Sequence, residues 1–208
     1  FNGASNSTGI PKVVSTDFIV NTTLAPVVIS KTQILGVTFD IPMSITGCTV
    51  TINGNAIATS VTTSTDKKTL LFKPTTAWDV NLLNLQNLEI SSNCKNESGI
   101  AYVPGSGVSV YIADSLLYVD STAGNDGNPG TMQSPMKSLQ AAITTISPSC
   151  TGSISCALAI KGGTYIISTN ILMPFNLSLF GGFDPADWKS RRADKTSLAP
   201  YDTIITDS

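Results

Sequence analysis

The feature that most constrains this chain is the brevity of its apolar runs, most of which alternate with polar residues and end at Gly, Pro, Asn or Asp. Runs this short match half-buried strands of about 4–8 residues and are too short for stable helices. Between residues 25 and 113 they predict strands at Pro26–Ser30, Gly36–Phe39, Cys48–Ile52, Ala56–Val61, Thr69–Phe72, Leu85–Ile90 and Val108–Ile112. Asn53-Gly54 separates two of these runs, and both residues tolerate the positive φ that a two-residue hairpin turn requires. Seven short strands in about 90 residues is the arithmetic of a Greek-key β-sandwich.

From residue 114 onward the pattern changes. Leu116, Tyr118 and Asp120 close a strand, and the Gly/Asn-rich loop STAGNDGNPGT follows. Met136, Leu139, Ala142, Ile143 and Ile146 fall at helical spacing, with Ser134-Pro135 reading as N-cap and first helical residue and Ser147-Pro148 as the stop. Short apolar strands come next at Ala157–Ile160, Leu177–Phe180 and Thr203–Thr206, with smaller ones at Tyr165–Ile167 and Ile171–Met173. A near-constant strand spacing with Gly corners is the signature of a solenoid, and the helix is expected to close one end of its apolar column.

Composition narrows the chemistry. The 208 residues contain no His, which excludes Ser-His-Asp and Cys-His catalysis and every His-ligated metal site. Only 12% of residues are charged and the formal net charge is −2, so the clustered Lys/Arg that nucleic acid requires is missing. Mean hydropathy is +0.19, yet no apolar run approaches the ~18 residues of a membrane span. Cys48, Cys94, Cys150 and Cys156 show no CxxC spacing, so zinc is disfavoured, and an even count in a polar chain points to disulfides and an oxidising compartment. Of the three possible connectivities, Cys48–Cys94 with Cys150–Cys156 keeps each bond inside one domain and is the expected one. Free buried cysteines are the alternative. The opening FNGASNSTG reads as a polar linker of the kind that follows a removed export signal, so a cell-surface, periplasmic or secreted location is expected.

Particular strings add two resemblances. VTFDIPM (Val37–Met43), the NGN turn, KTLLFKP (Lys67–Pro74) and GIAY (Gly99–Tyr102) resemble the Ig-like domain of bacterial surface-layer proteins, a spacer or presentation module rather than a catalyst. YVDSTAGNDGNPGTMQSPMKSLQAAI (Tyr118–Ile143), KGGTY (Lys161–Tyr165) and SLFGGFD (Ser178–Asp184) resemble the start of a right-handed parallel β-helix of the pectin-lyase-like superfamily. Members of that superfamily run through more coils, so this chain is expected to be the N-terminal part of a longer surface protein. The expected fold is therefore all-β: a polar linker over 1–24, an Ig-like β-sandwich over 25–113, and a short, helix-capped right-handed parallel β-helix segment over 114–208.

Two clusters are candidate sites. Asp120, Asn125 and Asp126 gather hard oxygens that could hold Ca²⁺, although the spacing does not fit an EF-hand and Asn-Gly and Asp-Gly are also ordinary turn formers. Asp184, Asp187, Trp188, Arg191 and Arg192, with Lys189 and Asp194, form a carboxylate–Arg–aromatic stretch of the kind that binds sugars. Its plainer reading is a solvated loop with local ion pairs. Gly162-Gly163 and Gly181-Gly182 read as corner or tight-packing positions. Sequons begin at Asn6, Asn21, Asn96 and Asn176 and read as chance products of a Ser/Thr/Asn-rich chain.

Two functions follow as expectations. The first is a non-catalytic adhesion module whose partner is a host extracellular-matrix protein or a polysaccharide, with no nucleic acid, no transmembrane segment and no cofactor beyond Ca²⁺. A lipid-anchored outer-membrane form would fit it. The alternative is the N-terminal part of a polysaccharide lyase or glycoside hydrolase whose active site lies on further coils. The coil strands ALAI, LSLF and TIIT carry no charged residue, which favours the first.

Overall fold

A computed structural model describes residues 9–17, 26–79, 81–105, 107–192 and 202–207. The chain is all-β with one short helix. Its first strands are β1 (Val13–Thr16), β2 (Val27–Ser30), β3 (Leu35–Phe39), β4 (Met43–Ser44), β5 (Val50–Ile52), β6 (Asn55–Ile57), β7 (Thr59–Thr63), β8 (Thr69–Pro74), β9 (Asn81–Ile90), β10 (Lys95–Asn96) and β11 (Val108–Ala113). They form a four-stranded sheet in the order β1-β3-β8-β7, a five-stranded sheet in the order β2-β11-β9-β5-β6, and the pair β10-β4. Alternation places Leu35, Val37, Phe39, Leu70 and Phe72 of the first sheet in the interior, and Val50, Ile52, Leu88, Ile90 and Val110 of the second. Asn53 and Gly54 make the expected tight turn between β5 and β6, with φ of 51° and 80°.

Val13–Thr16, read from the sequence as part of a polar linker, is strand β1 and pairs antiparallel with β3. Asp17 fixes the end of that pairing, its carboxylate accepting the Gly36 N–H at 2.7 Å. Both expected disulfides are formed, Cys48–Cys94 and Cys150–Cys156, and there are no free cysteines.

The later elements are β12 (Ser115–Val119), helix α1 (Leu139–Ile146), a single 3₁₀ turn at Ser147–Ser149, β13 (Cys156–Lys161), β14 (Gly163–Ile167), β15 (Leu177–Phe183) and β16 (Thr203–Asp207). β12, β13 and β15 lie side by side, all parallel, and β14 pairs parallel with β16. Leu117, Val119, Leu158, Ile160 and Tyr165 form one core with Leu139, Ala142, Ile143 and Ile146 of the helix. Ile171–Met173, expected as a strand, is irregular, and Leu172 is almost fully exposed.

The helix starts later than its sequence suggests. Met136 continues the parallel pairing beside Val119, its N–H donating to the Tyr118 carbonyl and its carbonyl accepting from Asp120 N–H, both at 2.9 Å. Those bonds hold the segment after Ser134-Pro135 extended, so Ser138 is the N-cap and its hydroxyl accepts the Ala141 N–H. Gly124 packs where a β-carbon would lie 2.2 Å from the Met136 carbonyl oxygen and 2.4 Å from that of Asp120. Gly124→Ala should therefore cost about 1–3 kcal/mol by forcing backbone to move; a denaturant midpoint equal to that of the parent chain would show the approach to be looser than this.

Contact density divides the described residues into two compact units, one holding residues 9–17, 32–79, 85–105 and 107–110, the other 26–31, 81–84, 111–192 and 202–207. The division falls within β9 and within β11.

Candidate functional site

Parallel register brings the chemically active side chains of the second unit to the ends of adjacent strands. Asp120 follows β12, and Lys161 ends β13 directly opposite Phe183 at the end of β15. Because Leu158 and Ile160 point into the core, alternation turns Lys161 to the opposite face of the sheet. There its ammonium lies 3.1 Å from Asp120 Oδ2, donates to the Pro185 carbonyl at 3.0 Å and sits 4.6 Å over the Trp188 ring. Asp120 Oδ1 accepts the Thr122 and Ala123 N–H groups, each at 2.9 Å. Burial alone would raise this carboxyl's pKa, but those two N–H groups and Lys161 together bring it below the ordinary value. Such a carboxylate stays ionised, with both oxygens occupied by the chain's own donors.

Tyr165 completes the arrangement and was not singled out by the sequence. Its hydroxyl lies 3.2 Å from the Val119 carbonyl and 3.1 Å from that of Lys161, and it accepts the Ser121 N–H. Burial raises its pKa and that of Tyr118, so both stay protonated at neutral pH. An alternation that put Tyr165 on the inward face was the only available signal.

The Gly/Asn-rich loop is organised by the same logic. Asp126 Oδ1 accepts the Lys137 and Ser138 N–H groups at 3.0 and 2.7 Å, and Oδ2 accepts the Ser138 hydroxyl at 2.8 Å. Asn125 Oδ1 accepts the Gly127 N–H. Asp120, Asn125 and Asp126 thus point to three different sets of donors, and Asp120 faces an ammonium that would oppose a dication. Among the described residues no three His, Cys, Asp or Glu side chains gather at a metal's distance. This donor set fits a helix-anchoring turn rather than Ca²⁺. Thermal unfolding with millimolar Ca²⁺ and with chelator should give superimposable curves; a rise in midpoint with Ca²⁺ alone would overturn that assignment.

The carboxylate–Arg–aromatic stretch folds back over the outer face of the same sheet. Trp188 is buried, edge-on to Tyr118 at 4.9 Å between centroids and tilted against Phe183. Asp184 accepts the Ala186 N–H, and Asp187 accepts those of Lys189 and Ser190, so both close turns on their own loop. Arg191 donates to the Gly181 carbonyl at 2.7 Å and the Pro26 carbonyl at 2.9 Å while its guanidinium lies over Phe180. Burial draws its pKa below the usual guanidinium value. Arg192 is placed by its backbone, whose N–H donates to the Gly182 carbonyl. Gly182 has φ of 82°, and a β-carbon there would lie 1.9 Å from the Arg192 carbonyl oxygen. Only glycine fits. Asp194 lies outside the described residues, as do the sequons at Asn6 and Asn21.

An open polar surface occurs instead in the first unit, where sequence reasoning had placed no site. The Cys48–Cys94 disulfide and the β4–β10 pair hold two loops together around a groove of about 460 Å³ lined by Ser44, Thr46, Asn93, Lys95 and Glu97. A second hollow of about 320 Å³ adjoins it, sharing Ser44 and Glu97 and bounded by the Lys67–Glu97 ion pair. Asn96 lies beneath, buried, its amide donating to the Gly9 carbonyl and accepting the Ile100 N–H. Its sequon is therefore not open to modification in the folded chain. The groove's signal was non-local, depending on which loops a disulfide joins.

The fold and these sites define an all-β protein with a disulfide in each unit, whose buried charges brace its own loops. No family model matches the chain, and no curated protein matches it. Among solved structures it is similar to the crystal structure of the S-layer protein rSbsC(31-844), at 16% identity and a TM-score of 0.30. That match covers 50% of this chain and 13% of the other.

Proposed function

We propose that this chain is a non-catalytic, exported binding and spacer module whose partner is a matrix protein or a polysaccharide at a cell surface. The observation that carries the reading is the use made of charge. Asp120, Asp126, Asp184, Asp187 and Arg191, the side chains best suited to catalysis or metal binding, each hold the chain's own backbone. Open in the first unit is a groove lined by hydroxyls, amides and charged side chains, beside a hollow bounded by the Lys67–Glu97 ion pair, and such a lining suits hydrogen-bonded recognition. Two disulfides support a location in an oxidising compartment. The parallel register of β12, β13 and β15 supports reading the second unit as the first coils of a pectin-lyase-like β-helix, with the N-terminal sheets as an Ig-like spacer.

An array of acidic and neutral polysaccharides and extracellular-matrix proteins, probed with Ca²⁺ and with chelator, tests the proposal. Saturable binding that survives chelator and weakens in Asn93→Ala/Lys95→Ala is the expected result. Ca²⁺-dependent binding to a single polysaccharide class, indifferent to the groove variant, would replace it with the N-terminal part of a carbohydrate-active enzyme.

A further inference from the structure

The groove between the two disulfide-joined loops differs from the second unit in what its polar side chains hold. Asp120, Asp126, Asp184, Asp187 and Arg191 are bonded to backbone groups. Thr46, Asn93 and Lys95, all exposed and all lining the groove, make no side-chain hydrogen bond or ion pair with any described residue. A hydroxyl, an amide and an ammonium offer one, two and three donors, so this set presents donors to whatever enters.

Its charge points the same way. Of the described side chains lining the groove and the hollow beside it, Glu97 alone is negative, and Lys67 holds it at 2.5 Å. Two ammonium groups against one carboxylate leave the Lys95 charge uncompensated, on a chain whose formal net charge is −2. The Cys48–Cys94 bond and the β4–β10 pair fix the backbone that carries these groups, so little chain ordering is left to a binding event.

We infer that the ligand of this groove is a polysaccharide bearing oxyanions, with a carboxylate or sulfate seated against Lys95 and sugar hydroxyls against Asn93 and Thr46. The inference rests on the reading of the chain as a binding module and names the ligand's chemistry. An ammonium is a point charge that pairs with either anion. Glu97 opposes the incoming charge and so limits the affinity.

Binding of the whole chain to dextran, carboxymethyl-dextran and dextran sulfate tests this, because the three share one backbone and differ in charge. At least one anionic polymer should bind about tenfold more tightly than dextran, and raised salt should shrink the difference. Lys95→Gln keeps a donor and loses the charge; it should weaken anionic binding about fivefold or more. Glu97→Gln should strengthen that binding. Lys73→Gln, at an exposed lysine outside the groove lining, should leave it unchanged. Lys95, Glu97 and Lys73 are all exposed, so thermal midpoints should stay near that of the parent. Equal affinity for all three polymers overturns the inference and leaves the binding module standing. So does saturable binding of a matrix protein, weakened in Asn93→Ala/Lys95→Ala, with neither anionic polymer bound. Weaker binding in Glu97→Gln, or a loss in Lys73→Gln as large as in Lys95→Gln, also overturns it. Silence toward every polysaccharide and protein removes both readings.

Discussion

Cys48→Ala/Cys94→Ala is expected to lower the unfolding free energy by about 4 kcal/mol. The bond spans a sequence separation of 46 residues, so its loss returns a large amount of loop freedom to the unfolded chain. Cys150→Ala/Cys156→Ala removes a bond of separation 6 and should cost only about 2 kcal/mol on the same argument. Denaturant titration of the two double variants checks both size and order. Equal losses, or a larger loss for the short loop, would mean that packing around the sulfurs outweighs chain entropy. The longer bond also joins the two loops that frame the polar groove, so its removal should weaken any ligand binding there.

The second large effect concerns the ion pair at the strand ends. Asp120 and Lys161 side chains are only 6% and 11% exposed, and breaking a pair this buried strands one charge away from water. Asp120→Ala should cost about 3–5 kcal/mol, since it also frees the N–H groups of Thr122 and Ala123. Lys161→Met should cost less, because the carboxylate keeps those N–H groups. Asp120→Asn combined with Lys161→Met keeps an acceptor for the N–H groups and removes both charges, and should recover at least half of the Asp120→Ala loss. A strictly additive double variant would show that the two side chains do not act as a pair.

The same pair sets an acid limit. Asp120's carboxyl titrates below its ordinary value of 3.8 in the folded chain. Its contribution is therefore complete at neutral pH and is lost as pH falls from about 4 through the lowered folded value. Asp114, held by Lys31 and the Ser155 N–H, and Asp126, held by Ser138 and Lys137, are lowered too and add to the same fall. Asp120→Asn should flatten the acid limb of stability without abolishing it. An unchanged slope would remove Asp120 from the explanation.

How much of this could be read from sequence depends on whether the cause is local. Alternation and turn chemistry located β2, β3, β5, β8, β11 and the Asn53-Gly54 hairpin, because those causes act within a few residues. The start of α1 was misplaced because Met136 is held extended by Tyr118 and Asp120, distant in sequence. β1 was hidden by the polar residues around Val13 and Val14 and became a strand through its pairing with β3. Both disulfides followed from domain reasoning, yet the groove that one of them frames did not. Asp184, Asp187, Trp188 and Arg191 have the composition of a sugar site, but burial and partners decide what a composition does. Here Trp188 is buried against Tyr118 and Phe183, and Arg191 is tied to two carbonyls.

The proposal that these charged groups hold the fold and do no chemistry is tested most directly by a turnover assay. The chain would be incubated with acidic and neutral polysaccharides, with and without Ca²⁺, while new reducing ends and unsaturated products are followed over time. The account predicts no product above the no-protein control, even for polysaccharides that the chain binds. Product that accumulates in proportion to protein concentration, and is lost in Asp184→Asn or Arg191→Ala variants whose folding is intact, would contradict it.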